Sequence, residues 1–283
     1  MPSSRKREGI AQKQEGASQL TELLARVAIG GVLSAFVAVA ARRKLTLSTS
    51  GAIAAAAVGT ISIAAGASWG ALLFSFFVPA SALSKLGERE KAVRVGSVVE
   101  KGAERDAGQV LANAGVFTAA ALGFLLWPSP TWQAIGAGAL AAAAADTWAT
   151  EVGTLPGGDP ISLISGKTVP PGTSGGVTLV GTAAGMAGAL FIAAAATLAN
   201  WQASFAAVAL GGMAGALADS LLGATLQARR WCDVCAQSTE RLVHNCGNPA
   251  RHARGLRGFD NDVVNAVCSG VGALVALLLT RAM

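Results

Sequence analysis

The sequence predicts an all-α fold, a polytopic transmembrane helical bundle of seven or eight spans. Three observations carry this reading. Only 13% of the residues are charged, against about 25% in an ordinary soluble domain. Long apolar stretches alternate with short charged ones, the pattern of spans and loops. The apolar stretches are rich in Ala and the chain holds 35 Gly, and small residues let helix backbones approach closely in lipid.

The first 21 residues form a polar N-terminal tail with Arg5, Lys6, Arg7 and Lys13. It lacks the early apolar core and cleavage site of a secretory signal, and reads as disordered or as an organelle-targeting stretch. Residues 22–283 form a single transmembrane domain. Apolar segments fall at roughly 22–41, 51–66, 68–84, 107–127, 131–150, 175–199, 203–227 and 263–281. Most reach the roughly 20 residues that cross about 30 Å of hydrocarbon. The second and third are short and nearly continuous, so they are two tilted spans or one span with a broken half-helix. Gly66/Gly70, Gly181/Gly185 and Gly211/Gly215 have small-xxx-small spacing. A chain this rich in Ala and Gly also produces such pairs by composition alone.

The connecting segments sort by charge. Residues 127–132 (Trp-Pro-Ser-Pro-Thr-Trp) and 199–201 (Ala-Asn-Trp) are short, uncharged and edged by Trp, as at an interfacial aromatic belt. Segments 85–106, 151–174 and 228–262 hold most of the Lys and Arg outside the tail. Alternation of spans puts these three on one side, which the charge bias makes cytoplasmic or its organellar equivalent. Arg42, Arg43 and Lys44 join that side only if the second and third segments both cross, which favours eight spans. The net charge of +6 is then loop bias, and no nucleic-acid partner is expected.

Carboxylates at or inside membrane helices are costly and so point to function. Asp146 and Glu151 close the span ending near residue 150. Asp219 lies about two turns inside its apolar helix, with Gly215, Gly223 and Gln227 on its face. Such acids suit Mg²⁺, a hard cation that takes carboxylate and phosphate oxygens. Asp260 and Asp262 open the last span as further ligands or as helix caps, and Asn261, Asn265 and Ser269 form a polar stripe there. Arg105, Gln109 and Asn113 share one helix face, and Ser81 and Lys85 another; a snorkelling role competes for Lys85.

Residues 166–168 read Gly-Lys-Thr, but Ile161 stands where a P-loop needs its first Gly and Pro170-Pro171 follow at once, which excludes that motif. The turn Gly172-Thr173-Ser174-Gly175-Gly176 precedes a predicted helix. Exposed amides there, with two hydroxyls and Lys167 nearby, make an anion site; an ordinary capped Gly-Pro turn is the bland alternative. Cys232, Cys235, His244 and Cys246 lie within fifteen residues, in a loop at about 228–260. They suit a closed Cys₃His zinc site, with a disulfide or redox pair as alternatives. Cys268 reads as inert packing within a span. The two His are His244 and His252, and there is no Ser-His-Asp set. Acids, a Gly-rich turn and scattered Lys, Arg and Asn are parts for Mg²⁺-assisted chemistry on a phosphate.

Four stretches carry a family resemblance: Ala-Asp-Thr-Trp-Ala-Thr-Glu-Val-Gly (145–153), Val-Pro-Pro-Gly-Thr-Ser-Gly-Gly-Val-Thr (169–178), Asp-Ser-Leu-Leu-Gly-Ala-Thr-Leu-Gln (219–227) and Asp-Asn-Asp-Val-Val-Asn (260–265). They resemble the transmembrane protein 19 family, which includes plant and cyanobacterial phytyl-phosphate kinases, in order from about residue 30 to the end. The resemblance implies transfer of a nucleotide's γ-phosphate, with CTP the expected donor, to an isoprenoid monophosphate. The Cys/His loop resembles some prokaryotic members; the animal type lacks it. On this reading Asp146, Glu151 and Asp219 hold Mg²⁺, with Asp260 or Asp262 in support. Lys85, Lys167, Arg105 and the turn 172–176 hold phosphates. Gln109, Asn113, Gln227, Asn261 and Asn265 hydrogen-bond nucleotide or acceptor, and the prenyl tail lies between spans among Ala and Gly faces. A secondary transporter with intramembrane Asp146 and Asp219, and a non-enzymatic assembly factor, are the alternatives.

Overall fold

The structure is a computed structural model that describes residues 4–95, 104–155 and 158–283. Pro156 and Gly157 of the expected Gly-Pro loop, and part of the 85–106 connection, lie outside the described residues.

The first helix, α1, runs from Ser4 to Arg43 and so extends through most of the polar tail before entering its apolar part. Helix α2 (Thr49–Ala65) is capped by the Ser48 hydroxyl, which accepts from the Gly51 amide. Gly66, at φ 149°, ends α2 and begins α3 (Ala67–Lys85). One residue therefore reverses the chain, and the second and third apolar segments are two full helices. A short amphipathic helix, α4 (Glu88–Val95), follows. Then come α5 (Ala107–Leu126), α6 (Pro130–Gly153), α7 (Leu179–Leu198), α8 (Phe205–Thr225) and α9 (Asn261–Ala282).

Among the described residues, six helices are long and apolar enough to cross a membrane: Gly16–Arg43 of α1, then α3, α5, α7, α8 and α9. Helix α2, at 17 residues, spans about 26 Å by its helical rise. Helix α6 has 24 residues but is not among the six, and its surroundings explain why. It packs against α3, α5, α7, α8 and α9, and every residue from Gly136 to Ala145 is buried. A helix walled by protein needs small side chains, not lipophilic ones. The described residues thus give six candidate crossings, with α2 a shorter apolar helix and α6 packed within the bundle.

Backbones approach closely where α6, α8 and α9 meet. A Cβ on Gly138 or on Gly211 would stand 2.4 or 2.6 Å from the Gly272 carbonyl. Two of the three small-residue pairs are contacts of this kind. Gly181 and Gly185 press on α6 at the Ala149 and Ala145 carbonyls, and Gly211 and Gly215 press on α9. Gly66/Gly70 instead marks the α2–α3 corner, where Gly70 abuts Ile63.

The links between helices fall on two faces. On one, the connections are Gly66, residues 127–129 and residues 199–204, none of them charged. Trp69 sits near this face, 4.5 Å from Trp201 and 5.3 Å from Phe117 between ring centres. The opposite face gathers the polar segments. The α1–α2 link joins it: the Ser48 amide donates to the Arg105 carbonyl, and the Arg105 amide to Thr46. Arg42 lies 3.7 Å from Glu104. The basic trio 42–44 thus shares a side with the three charged connections.

The all-α expectation holds for the bundle but not for the polar connections, which form two small antiparallel sheets. Strands β1 (Ile161–Ser162) and β2 (Gly176–Val177) pair in one. Strands β3 (Arg229–Cys232), β4 (Gln237–Thr239) and β5 (Arg251–Arg254) form the other in the order β4-β3-β5.

Because Gly211 has no room for a side chain, Gly211→Leu should prevent α8 from docking on α9. We expect Gly211→Leu to abolish the monodisperse peak of detergent-purified protein in size-exclusion chromatography, while Leu210→Ala, at an exposed position, leaves it intact.

Candidate functional site

The polar face encloses a cavity of about 520 Å³. Its floor is the ends of α6 and α8, and its walls are α4, the start of α5, the turn before β2, the loop after β4 and the start of α9. The Ala run of α6 ends at Asp146, and α8 carries Asp219 opposite. The two carboxyl groups are hydrogen-bonded to each other. Two carboxyls that touch cannot both stay charged without a proton or a cation between them. The Oδ1 atom of Asp219 is buried and has no hydrogen-bond partner, so this pair offers acceptor oxygen to a hard cation at the cavity floor.

Glu151, expected as a metal ligand, is held otherwise. Its Oε2 lies 2.5 Å from the Lys91 ammonium, and its Oε1 accepts from the Ser84 hydroxyl at 2.6 Å. Lys91 is only 7% exposed and also donates to the Leu83 carbonyl at 2.8 Å. Ser84 accepts from Arg105 at 3.2 Å. Burial lowers the Arg105 pKa from the usual arginine value, and nearby Glu151 opposes that shift. Glu151 therefore anchors α4 and Arg105 to the end of α6 and lines the cavity from that position.

The turn 172–176 lines the cavity but does not open a helix. Strand β2 intervenes, and α7 starts at Leu179 with the Thr178 hydroxyl as its own cap. The Thr173 and Gly176 amides are spent on Pro170 and Thr173 carbonyls, so a helix-terminus anion site is corrected to a tight turn. Gly175, at φ 79°, is pressed on α8: a Cβ there would meet the Ala224 Cβ at 2.4 Å and the Ser220 carbonyl at 2.7 Å. Only Gly fits that combination, and the contact sets Ser174 beside the Asp219 segment.

Other expectations divide. Arg105, Gln109, Asn113, Gln227, Asn261 and Asn265 all line the cavity. Lys85 and Lys167 do not. Lys85 pairs with Glu88 at 3.3 Å, and Lys167 is exposed on the β1–β2 connection. Asp260 caps α9, accepting from the Val263 amide at 3.1 Å, and neither it nor Asp262 is among the lining residues.

Among the lining residues that escaped the sequence reading are Lys91 and Glu240. Lys91 sits in the mixed run Glu88-Arg89-Glu90-Lys91, where nothing marks one charge as buried. Glu240 follows β4 and is 6% exposed. Its Oε1 accepts from the Ser174 hydroxyl at 2.5 Å and from the Gln227 amide at 3.0 Å. The only sequence signal was its place eight residues after Cys232 in the Cys/His loop.

That loop carries the second cluster. One ligand atom from each of Cys232, Cys235, His244 and Cys246 lies within 4.8 Å of the others, and the four cysteines of the chain are free thiols. Cys232 and Cys246 sulfurs are 3.6 Å apart, and His244 Nδ1 is 3.3 Å from the Cys246 sulfur. A tetrahedral ion with bonds of about 2.3 Å to sulfur has ligand edges of about 3.8 Å, so this Cys₃His group could hold a metal ion. Hydrogen bonds from Asn248 and then His244 push the Cys246 thiol down to about 5. Its hydrogen bond to Cys246 leads the effects that push the Cys235 thiol up to about 11. Strand β3 links the clusters: Cys232 pairs with Gln237, and Arg230 with Thr239, next to Glu240.

Removing the cation from a mostly buried ion pair leaves a costly charge, on the order of 3 kcal/mol. Lys91→Met should therefore lower the thermal midpoint of the purified protein sharply. The double variant Lys91→Met/Glu151→Gln should recover most of that loss in the same melting experiment; additive losses would show that the two side chains do not act as a pair.

The comparisons with known proteins come down on the membrane architecture. The chain is 31% identical over 271 residues to "Protein PGR" of Arabidopsis thaliana, covering 86% of this chain and 92% of that one. It is 30% identical over 214 residues to an uncharacterized membrane protein of Methanocaldococcus jannaschii, covering 73% and 85%. A membrane protein of Synechocystis, also uncharacterized, is 30% identical over 166 residues, covering 56% and 63%. No solved structure matches. The model of the integral membrane protein family DUF92 matches residues 32–273, so this many-helix membrane protein belongs to the DUF92 family.

Proposed function

We propose that this protein is a membrane kinase that transfers the γ-phosphoryl group of a nucleotide, CTP by the family resemblance, to an isoprenoid monophosphate such as phytyl phosphate. The observation that carries the reading is the touching pair Asp146 and Asp219 at the floor of a polar cavity, with an unpartnered buried oxygen on Asp219. That donor set fits Mg²⁺. When bound, Mg²⁺ would neutralise charge on the transferring phosphoryl group.

The side chains around the pair divide the remaining work. An acceptor phosphate monoester is already an anion, so no strong base is needed to make it a nucleophile. One of its oxygens forms the new bond to the γ-phosphorus as the bridging oxygen–γ-phosphorus bond breaks, and CDP leaves with that electron pair. Catalysis is then positioning and charge neutralisation. Arg105, held by Ser84, supplies fixed positive charge on the α5 side, and Asn113 stands below it. Gln227, Asn261 and Asn265 supply donors and acceptors on the α8–α9 side. Ser174 and Gln227 are fixed by Glu240, which keeps the turn and the end of α8 in register.

Purified protein should release CDP from CTP only when a prenyl phosphate and Mg²⁺ are present. Asp146→Asn should lower that turnover by about a hundredfold or more, the scale seen when one preorganised electrostatic group is lost. Full turnover by Asp146→Asn rejects this site, and nucleotide-independent uptake of substrate into sealed vesicles replaces the kinase by a transporter.

We assign the Cys₃His group to structural Zn²⁺, which favours a closed tetrahedral thiolate-imidazole site. Metal analysis of protein purified without chelator should find one zinc per chain. Cys232→Ser should lose it, and the loss should release Glu240 and reduce turnover without touching Asp146. A chain free of zinc that keeps full activity refutes this role.

A further inference from the structure

A second cavity, of about 540 Å³, lies among α1, α2, α3 and the start of α5. Its lining is apolar on three sides, with Leu33, Val58, Phe74 and Phe77 among the walls. Its polar rim is Arg105, Gln109 and Asn113, and these same three residues line the polar cavity. A guanidinium and two carboxamides therefore border both cavities, standing between an apolar and a charged compartment. A ligand that satisfies both must be an amphiphile with an anionic head and an apolar body.

We infer that this cavity is the binding site for the isoprenoid tail, with the phosphate at Arg105–Gln109–Asn113 and the chain running down along α2 toward the Gly66 corner. The inference rests on the phosphoryl-transfer reading for the identity of the head, and on the cavity for the tail. Its depth sets the chain length. On α2 the lining runs from Ala55 to Ile63, about 12 Å at the helical rise per residue, and it continues past the Gly66 corner to Ala67 on α3. Extended chain covers about 1.2 Å per bond, since three backbone bonds span roughly 3.6 Å. The α2 wall alone thus matches about ten main-chain bonds of an extended prenyl chain. The volume is in the ordinary range for a small-ligand pocket, about 300–1,000 Å³, which suits one chain. The wall mixes aromatic and branched aliphatic side chains with small faces such as Ala55, Gly59, Ala67 and Gly70.

The test is photolabelling of the detergent-purified chain, without nucleotide, by a four-unit prenyl monophosphate carrying a diazirine at its tail end. Label is expected on peptides containing Ile29–Leu33 and Ala67–Gly70, with strong competition from prenyl monophosphates and weak competition from the free alcohol. Ala55→Trp, at the head end, should cut labelling about tenfold by filling the space. Ala67→Trp, at the far end, should instead shift the best competitor to a shorter chain. A variant that has merely misfolded gives no such shift, so the pair of variants separates blocking from unfolding. Label on the lipid-facing sides of α7 or α8, unchanged chain preference in Ala67→Trp, or equal competition by phosphatidylglycerol overturns the inference. Expected labelling with no CDP release leaves the tail site standing and removes the kinase reading; CDP release with no label in these peptides does the reverse.

Discussion

Everything on the polar face depends on one packing constraint: α6 has no side turned to lipid. A helix enclosed by five others can meet them only if its side chains are small, which is why ten consecutive residues from Gly136 to Ala145 are Ala, Gly or Leu and all buried. Close approach then carries its own reward in dispersion contacts, since lipid offers no hydrophobic drive between helices. The run stops where the polar connections begin, and the next residue is Asp146. The central helix thus delivers a carboxyl to the middle of the bundle's end, and Gly212 and Gly215, pressed on Ala141 and Ala142, bring α8 near enough for Asp219 to reach it.

The acids of this face sort into two kinds. Glu151 and Glu240 each receive hydrogen bonds from side chains of other segments, Ser84 and Lys91 in one case and Ser174 and Gln227 in the other. They tie loops to helix ends. Asp146 and Asp219 face each other at the floor. This division follows from chemistry: a carboxylate saturated by a lysine and a hydroxyl is a poor ligand, while a pair of carboxyls in a low-dielectric floor is unstable until something positive joins it.

The bundle was legible in the sequence because lipid imposes length and apolarity on each crossing. Even the doubtful α2–α3 region was bounded by Arg42–Lys44, whose side could be reconciled with the other basic connections only if both segments crossed. The lining residues on helices were also legible, since a polar residue in an apolar helix stands out: Asp146, Asp219, Gln109, Asn113 and Asn265 are all of this kind. What failed lay in the connections. Lys85 and Lys167 looked like phosphate ligands and are not at the cavity, whereas Lys91 is, because which lysine of a charged segment turns inward is fixed by tertiary contacts with Leu83 and Glu151. The turn at 172–176 was placed against a helix start, but a two-residue strand came between, and strands this short have no periodicity to read. Glu240 was invisible for the same reason: its position depends on the β3–β4 pairing.

The uncharged links on the far face bear on how such a chain enters a bilayer. Three helical pairs, α2–α3, α5–α6 and α7–α8, are joined there by Gly66, by residues 127–129 and by residues 199–204, without one ionic side chain among them. Each pair is a hairpin whose tip must be carried through hydrocarbon, and a charge on that tip would add its own desolvation penalty to the passage. Arranged this way, the ionic groups of the described inter-helix connections gather on one face, so a hairpin inserted from that face carries no charged link across the hydrocarbon.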